Sequence, residues 1–291
     1  MDPIIEKLSP MAISDVACWG DKKICIEVAD ALQLRGVELM PFRRFDQKLI
    51  DSGTLAFHGP LLKGGSESML TRMRYGSSRE IPEVLFWKLL IGSLGSNPAL
   101  RLARDQEIPL VLHQETILEL AGYGQLDRLM GLRLLIENSN FTNHPLIKGD
   151  VVGSYFRAIE LAQGSAMSVQ ALIDLEHLAI SKWPRPYDLG EFLDSVEQLV
   201  PIGEFHVCDS IPGKEWRSHL IPGEGTSNLA EQLGLIGRRF PKALVVLEHK
   251  SRMSLLSFIL ADRRKRYQSI LAEAAKAYEF VRSSLNPLEA W

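Results

Sequence analysis

Eight short runs of apolar and β-branched residues, each bounded by turn residues, recur along the chain and limit what it can fold into. They are "AISDVACW" (12–19), "GVELMPF" (36–42), "TLAFHGP" (54–60), "IPLVLHQ" (108–114), "LRLLIEN" (132–138), "VQALIDLEH" (169–177), "IGEFHVCD" (202–209) and "ALVVLEH" (243–249). Between them lie helical patterns such as "KKICIEVADALQLRG", "GEFLDSVEQLV" and "SNLAEQLGLIGRRF". Strands that alternate with helices pair in parallel, because each crossover helix carries the chain back to the same end of the sheet. Eight such units in 291 residues point to an α/β fold, the (β/α)8 TIM barrel, whose usual length is about 250 residues. The stretch 61–107 is too long for one helix and predicts extra helices after the third strand. The C-terminal "SRMSLLSFILADRRKRYQSILAEAAKAYEFVRSSL" supplies the final helices. No repeat or low-complexity linker divides the chain, so 1–291 reads as a single barrel domain.

Composition narrows the partners. Hydrophobic residues make up 46% and charged residues 24%, and the net charge of −3 gives no basic surface for nucleic acid. The basic run "DRRKRY" (262–267) falls in a terminal helix and reads as a solvated face. Three cysteines, at 18, 25 and 208, have no metal-type pair spacing and suit a reducing, cytoplasmic setting. "MDPIIEKLSP" has no signal-peptide pattern, and no apolar run is long enough to span a membrane.

The strand ends carry the chemistry. His58 closes the third run, His113 the fourth and Glu137 the fifth. Asp174 and His177 close the sixth, His206 and Asp209 the seventh, Glu248 and His249 the eighth, and Glu38 sits in the second. One such residue is unremarkable: a lone histidine is most often structural, and a lone carboxylate caps the next helix. A barrel brings all these ends to one face. Carboxylates buried together there are costly, and a divalent cation shared with neutral imidazole removes that cost. Zn, Mn and Fe all accept this donor set.

Together "LIEN", "LIDLEH", "EFHVCDS", "RSHLIPGEG" and "VLEH" resemble the xylose isomerase-like TIM-barrel superfamily, which includes endonuclease IV and many sugar isomerases and epimerases. The resemblance spans residues 54–249 and implies one to three divalent ions. It implies that Glu137, Asp174, His206 and Glu248 are metal ligands, with His58, His113, His177 and His219 available for further ions. It also implies that Glu137, Glu248 and His177 act in catalysis. The chain departs from endonuclease IV at Arg217, which stands where an aspartate ligand is expected, and at Leu61, which stands where an aromatic enters DNA.

Three readings follow. The first is a metal-dependent sugar or sugar-phosphate isomerase or epimerase working through an enediolate. Here Glu137 and Glu248 move the proton, and Arg217 and His219 bind hydroxyl, phosphate or carboxylate groups of a small, anionic substrate. The second is an endonuclease IV-like multinuclear phosphodiesterase, and the third a multinuclear iron oxygenase or oxidase. Asp209 is expected to support His206, Cys208 to fill space beside it, and Trp19, Phe42, Phe57 and Trp183 to wall the pocket.

Overall fold

The computed structural model describes residues 10–39, 54–58, 103–138, 150–166, 168–180, 188–212 and 218–286, with only the backbone of His58 and Leu255. The strands are β1 (Met11–Ser14), β2 (Gly36–Leu39), β3 (Thr54–His58), β4 (Leu110–His113), β5 (Arg133–Glu137), β6 (Ser168–Asp174), β7 (Ile202–Val207) and β8 (Leu244–Leu247). All neighbours pair in parallel, and β8 returns to β1 to close the barrel.

Successive residues of a strand face opposite sides of the sheet. Leu110, Leu112, Leu134, Ile136, Phe205, Val207, Val245 and Leu247 belong to the large core under the helices. The alternate positions Val111, Leu135 and Leu172, with Ala56 from β3, form a small separate cluster that plugs the barrel interior. One step further along the inward face the residues turn polar. Val111 is followed by His113, Leu135 by Glu137 and Leu172 by Asp174. The interior is thus an apolar floor under a polar mouth.

The helices are α1 (Lys22–Ala31), α2 (Gln114–Gly122), α3 (Val151–Gln163), α4 (Leu175–Ile180), α5 (Leu189–Glu197), α6 (Leu229–Arg239), α7 (Leu255–Leu260) and α8 (Arg263–Leu285). Asp21, Asp150, Asp188, Ser254 and Asp262 cap five of them, each side chain accepting a hydrogen bond from a first-turn backbone N–H. Along α8 the residues Ile270, Ala274, Ala277, Val281 and Leu285 repeat at helical spacing and are buried. At its start, Arg264 and Lys265 are exposed, while Arg263 pairs with Glu27 and Arg266 lies 5.0 Å over the Phe258 ring. None of the described helices is long and apolar enough to cross a membrane.

Several strands are shorter than their sequence runs. The first stops at Ser14, whose hydroxyl accepts from Val16 N at 3.4 Å and starts a 3-10 helix over Asp15–Cys18. The sixth stops at Asp174, where α4 begins without a loop because Asp174 Oδ1 accepts from His177 N at 2.8 Å. The fourth likewise passes straight from His113 into α2. Apolar residues continue across these junctions, so hydrophobicity alone does not mark the change of period. Of the expected extra helices in 61–107, residues 61–102 lie outside the described residues, and 103–105 are helical.

The seam between α6 and α8 depends on Gly237. A Cβ there would lie 2.2 Å from the Leu285 carbonyl oxygen and 3.0 Å from its carbon. Because the clash is with backbone, Gly237→Ala is expected to cost about 2–3 kcal/mol of overpacking, offset by about 1 kcal/mol of helix propensity. The net loss should lower the melting temperature by about 2–6 °C. An unchanged or higher melting temperature by circular dichroism would show that the helices do not meet there.

Candidate metal centre

The register of the barrel pairs the polar ends directly. His113 on β4 stands opposite Glu137 on β5, and Asp174 on β6 opposite His206 on β7. Glu248 follows β8, and Glu38 and Glu204 come from β2 and β7. All seven side chains are buried. His206 is the hub. Its Nε2 lies 3.1 Å from both Glu38 Oε2 and Glu204 Oε1, and its Nδ1 lies 3.1 Å from Glu248 Oε2 and 3.9 Å from Glu137 Oε1. Glu137 is flanked by two more imidazoles, His113 Nε2 at 2.7 Å and His177 Nδ1 at 3.2 Å.

Burial alone would lower the His206 pKa, but the Glu38 and Glu248 carboxylates outweigh it and hold the imidazole well above its usual range. Burial pushes Glu204 up to about 8, against the opposing pull of His206. His249, buried beside the cluster, is pushed down to about 4 by desolvation and is neutral at pH 7.

Glu137, Asp174, His206 and Glu248 each offer one donor atom within 4.8 Å of the other three. Three carboxylates and an imidazole at this spacing suit a divalent cation such as Zn, Mn or Fe. Glu38, Glu204 and His206 form a second such group, and Asp174, Glu176 and His177 a third. Asn138 staples the ends of β5 and β6: its Nδ2 donates to Asp174 O at 3.1 Å and its Oδ1 accepts from Asp174 N at 2.7 Å. His177 Nδ1 lies 2.8 Å from Asn138 O, a contact that favours a proton on Nδ1 and leaves the lone pair on Nε2.

Asp209 has a different task from the one its sequence position suggested. Its carboxylate accepts from Ser210 N (2.8 Å), Gly223 N (3.1 Å), Gly225 N (2.9 Å) and Ser227 Oγ (2.7 Å), and its backbone pairs with Leu220. It organises the loop after β7 rather than the His206 ring. That loop carries His219, whose Nδ1 lies 3.0 Å from Glu176 Oε2 and 3.4 Å from Cys208 Sγ.

His58 ends β3 by its backbone, and its side chain, with Arg217, Leu61, Phe42 and Trp183, lies outside the described residues. Phe57 is core rather than pocket wall. Trp19 donates from Nε1 to Met253 O at 3.1 Å and packs on Phe258. Sequence reasoning passed over Glu204 and Glu176. The period-two alternation of "GEFH" could have found Glu204, since it sets that residue on the same face as His206.

No family model matches the sequence, and no curated protein matches it. Solved structures do match. A putative xylose isomerase from Rhodospirillum rubrum aligns with a TM-score of 0.60 at 11% identity, over 93% of this chain and 99% of that one. A D-allulose 3-epimerase from Methylomonas sp., in complex with D-allulose, aligns with a TM-score of 0.58 at 12% identity, over 96% and 98%. A D-tagatose 3-epimerase-like protein aligns with a TM-score of 0.53 at 16% identity, over 91% and 99%. The chain therefore has the fold of the xylose isomerase-like TIM barrels.

Proposed function

We propose that the protein is a divalent-metal-dependent isomerase or epimerase acting on a sugar or sugar phosphate. The observation that carries this reading is the buried set of Glu137, Asp174, His206 and Glu248 at the barrel mouth. The epimerase and isomerase names of the structural neighbours support it.

A divalent ion held by these four residues would act as a Lewis acid, polarising substrate oxygens and lowering the cost of ionising the adjacent C–H. Glu248 and Glu137 supply the acid–base pair. One carboxylate takes the proton from the carbon beside the carbonyl, and the other returns a proton to complete the isomerisation. His177 and His113, close against Glu137, hold it in place. Arg217 is proposed to bind an anionic group of the substrate, for which its planar fork of donors is suited. A small-molecule substrate, with no nucleic-acid partner, and a reducing, cytoplasmic setting belong to the same reading; the described cysteines are free thiols.

Protein purified without chelators is expected to carry at least one transition-metal ion. Restoring Mn²⁺, which suits an oxygen-rich donor set and not a thiolate, to stripped protein at about 100 times its Kd should add about 2.7 kcal/mol of stability. Glu248→Gln should lose that gain. Its metal-free form should melt no lower than the wild type, because one charge leaves a crowded carboxylate cluster. A metal-dependent gain that survives intact in Glu248→Gln would remove this carboxylate from the ligand set.

Catalysis is tested by solvent exchange. In deuterium oxide with a panel of ketoses and their phosphates, the loaded enzyme should place deuterium on the carbon next to the carbonyl. Glu137→Gln and Glu248→Gln should each slow this by about 100-fold or more. Failure to exchange any member of the panel would count against the proton-transfer reading.

The position of Glu137 between His113 and His177 favours a second reading, phosphodiester hydrolysis, in which these imidazoles would help Glu137 hold a further ion. The loaded enzyme is expected not to cut a duplex containing an abasic site at physiological salt. Efficient incision would reverse the order of the two readings.

A further inference from the structure

We propose that Glu176, Cys208 and His219 form a second cation site, of carboxylate, thiolate and imidazole, beside the first. The three donor atoms make a small triangle. Cys208 Sγ lies 3.2 Å from Glu176 Oε2 and 3.4 Å from His219 Nδ1, and His219 Nδ1 lies 3.0 Å from Glu176 Oε2. Glu176 and Cys208 are buried, and the His219 side chain is 11% exposed, so the group opens to solvent on one side only.

Cysteine, histidine and glutamate also make nucleophilic triads, but the geometry here is not that of one. A triad is a relay, in which the thiol meets one imidazole nitrogen and the carboxylate holds the other. Here the thiol and the carboxylate both approach Nδ1, and the carboxylate oxygen also accepts from the thiol. Three donors that converge on one another are arranged to chelate. Zn–S of about 2.3 Å and Zn–N or Zn–O of about 2.0–2.1 Å in a tetrahedron give ligand–ligand edges of about 3.3–3.6 Å. The observed edges need to open by only a few tenths of an ångström. Three protein ligands leave a fourth position for water or substrate.

The surroundings favour a cation. The Cys208 thiol donates to Glu176 Oε2, so its proton lies between two of the atoms that would bind the ion. A divalent ion would displace that proton, form the S–metal bond and release one H⁺ per ion. His219 is held towards this point by its backbone. Its φ of 51° is left-handed, and Lys250 N donates to its carbonyl at 2.8 Å. The sites also differ in kind. Oxygen donors with one imidazole accept Mn as well as Zn or Fe, whereas thiolate selects Zn or Cu(I) over Mn.

The test is titration of chelator-stripped, reduced, full-length protein with Co²⁺. A near-ultraviolet thiolate-to-cobalt charge-transfer band is expected to grow and saturate at one equivalent, with proton release. Cys208→Ala should abolish the band and still bind cobalt at the Glu137–His206 site. His219→Ala, on the more open side, should weaken the band's titration at least tenfold and serves if Cys208→Ala does not fold. Glu248→Gln should keep the band, which separates failure of the first site from failure of this one. Absence of a band in the wild type, or a band that survives Cys208→Ala in folded protein, would overturn the proposal.

Discussion

An imidazole enclosed by carboxylates has to become charged or be joined by a cation, and the barrel mouth is built around that requirement. His206 has Glu38 and Glu204 at one ring nitrogen and Glu248 at the other, all buried. Protonated His206 offsets only part of the negative charge; Glu204 offsets more by taking up a proton at neutral pH, since its pKa is near 8. A divalent ion bound there would relieve the same repulsion and, under the proposed function, would leave the carboxylates ionised for proton transfer. Removing one imidazole partner would leave buried anions uncompensated, which typically costs several kcal/mol.

Closure of the barrel creates this situation. Parallel strands in register bring His113 against Glu137 and Asp174 against His206, whatever their separation in sequence. Ala56, Val111, Leu135 and Leu172 form a buried apolar cluster inside the barrel, and the outer leucines and valines anchor each strand under the helices. The fold therefore supplies both the rigidity and the low dielectric that strengthen charge interactions at the mouth.

Much of this was legible in the sequence because inward positions change from apolar to polar at each strand's end. Six such endings, on the third to the eighth run, could be read without knowing the fold, and the strands and the final helices lie where the runs placed them. The exact strand ends could not be read. Asp174 and Ser14 turn their side chains back to start helices, and apolar residues continue past both. Asp209 misled for a related reason: it shares the strand-end pattern, but its backbone pairing with Leu220 turns it into the loop. Glu176 was hidden because helical and strand periods overlap in "LIDLEH", and its partners Cys208 and His219 become neighbours only when the loop folds back.

That folding back is itself specified by one side chain. Four donors converge on the Asp209 carboxylate, two of them the N–H groups of Gly223 and Gly225. At Gly225 a Cβ would lie 2.2 Å from Asp209 Oδ1 and 2.3 Å from Ser210 O, so only glycine lets the backbone come this close. The loop is thereby fixed to the end of β7, two residues beyond Cys208 Cα's neighbour Val207, while Lys250 N ties His219 to the segment after β8. One loop joins the strand that carries His206 to the segment that carries Glu248. The cysteine cluster and the edge of the carboxylate cluster are therefore anchored by the same loop.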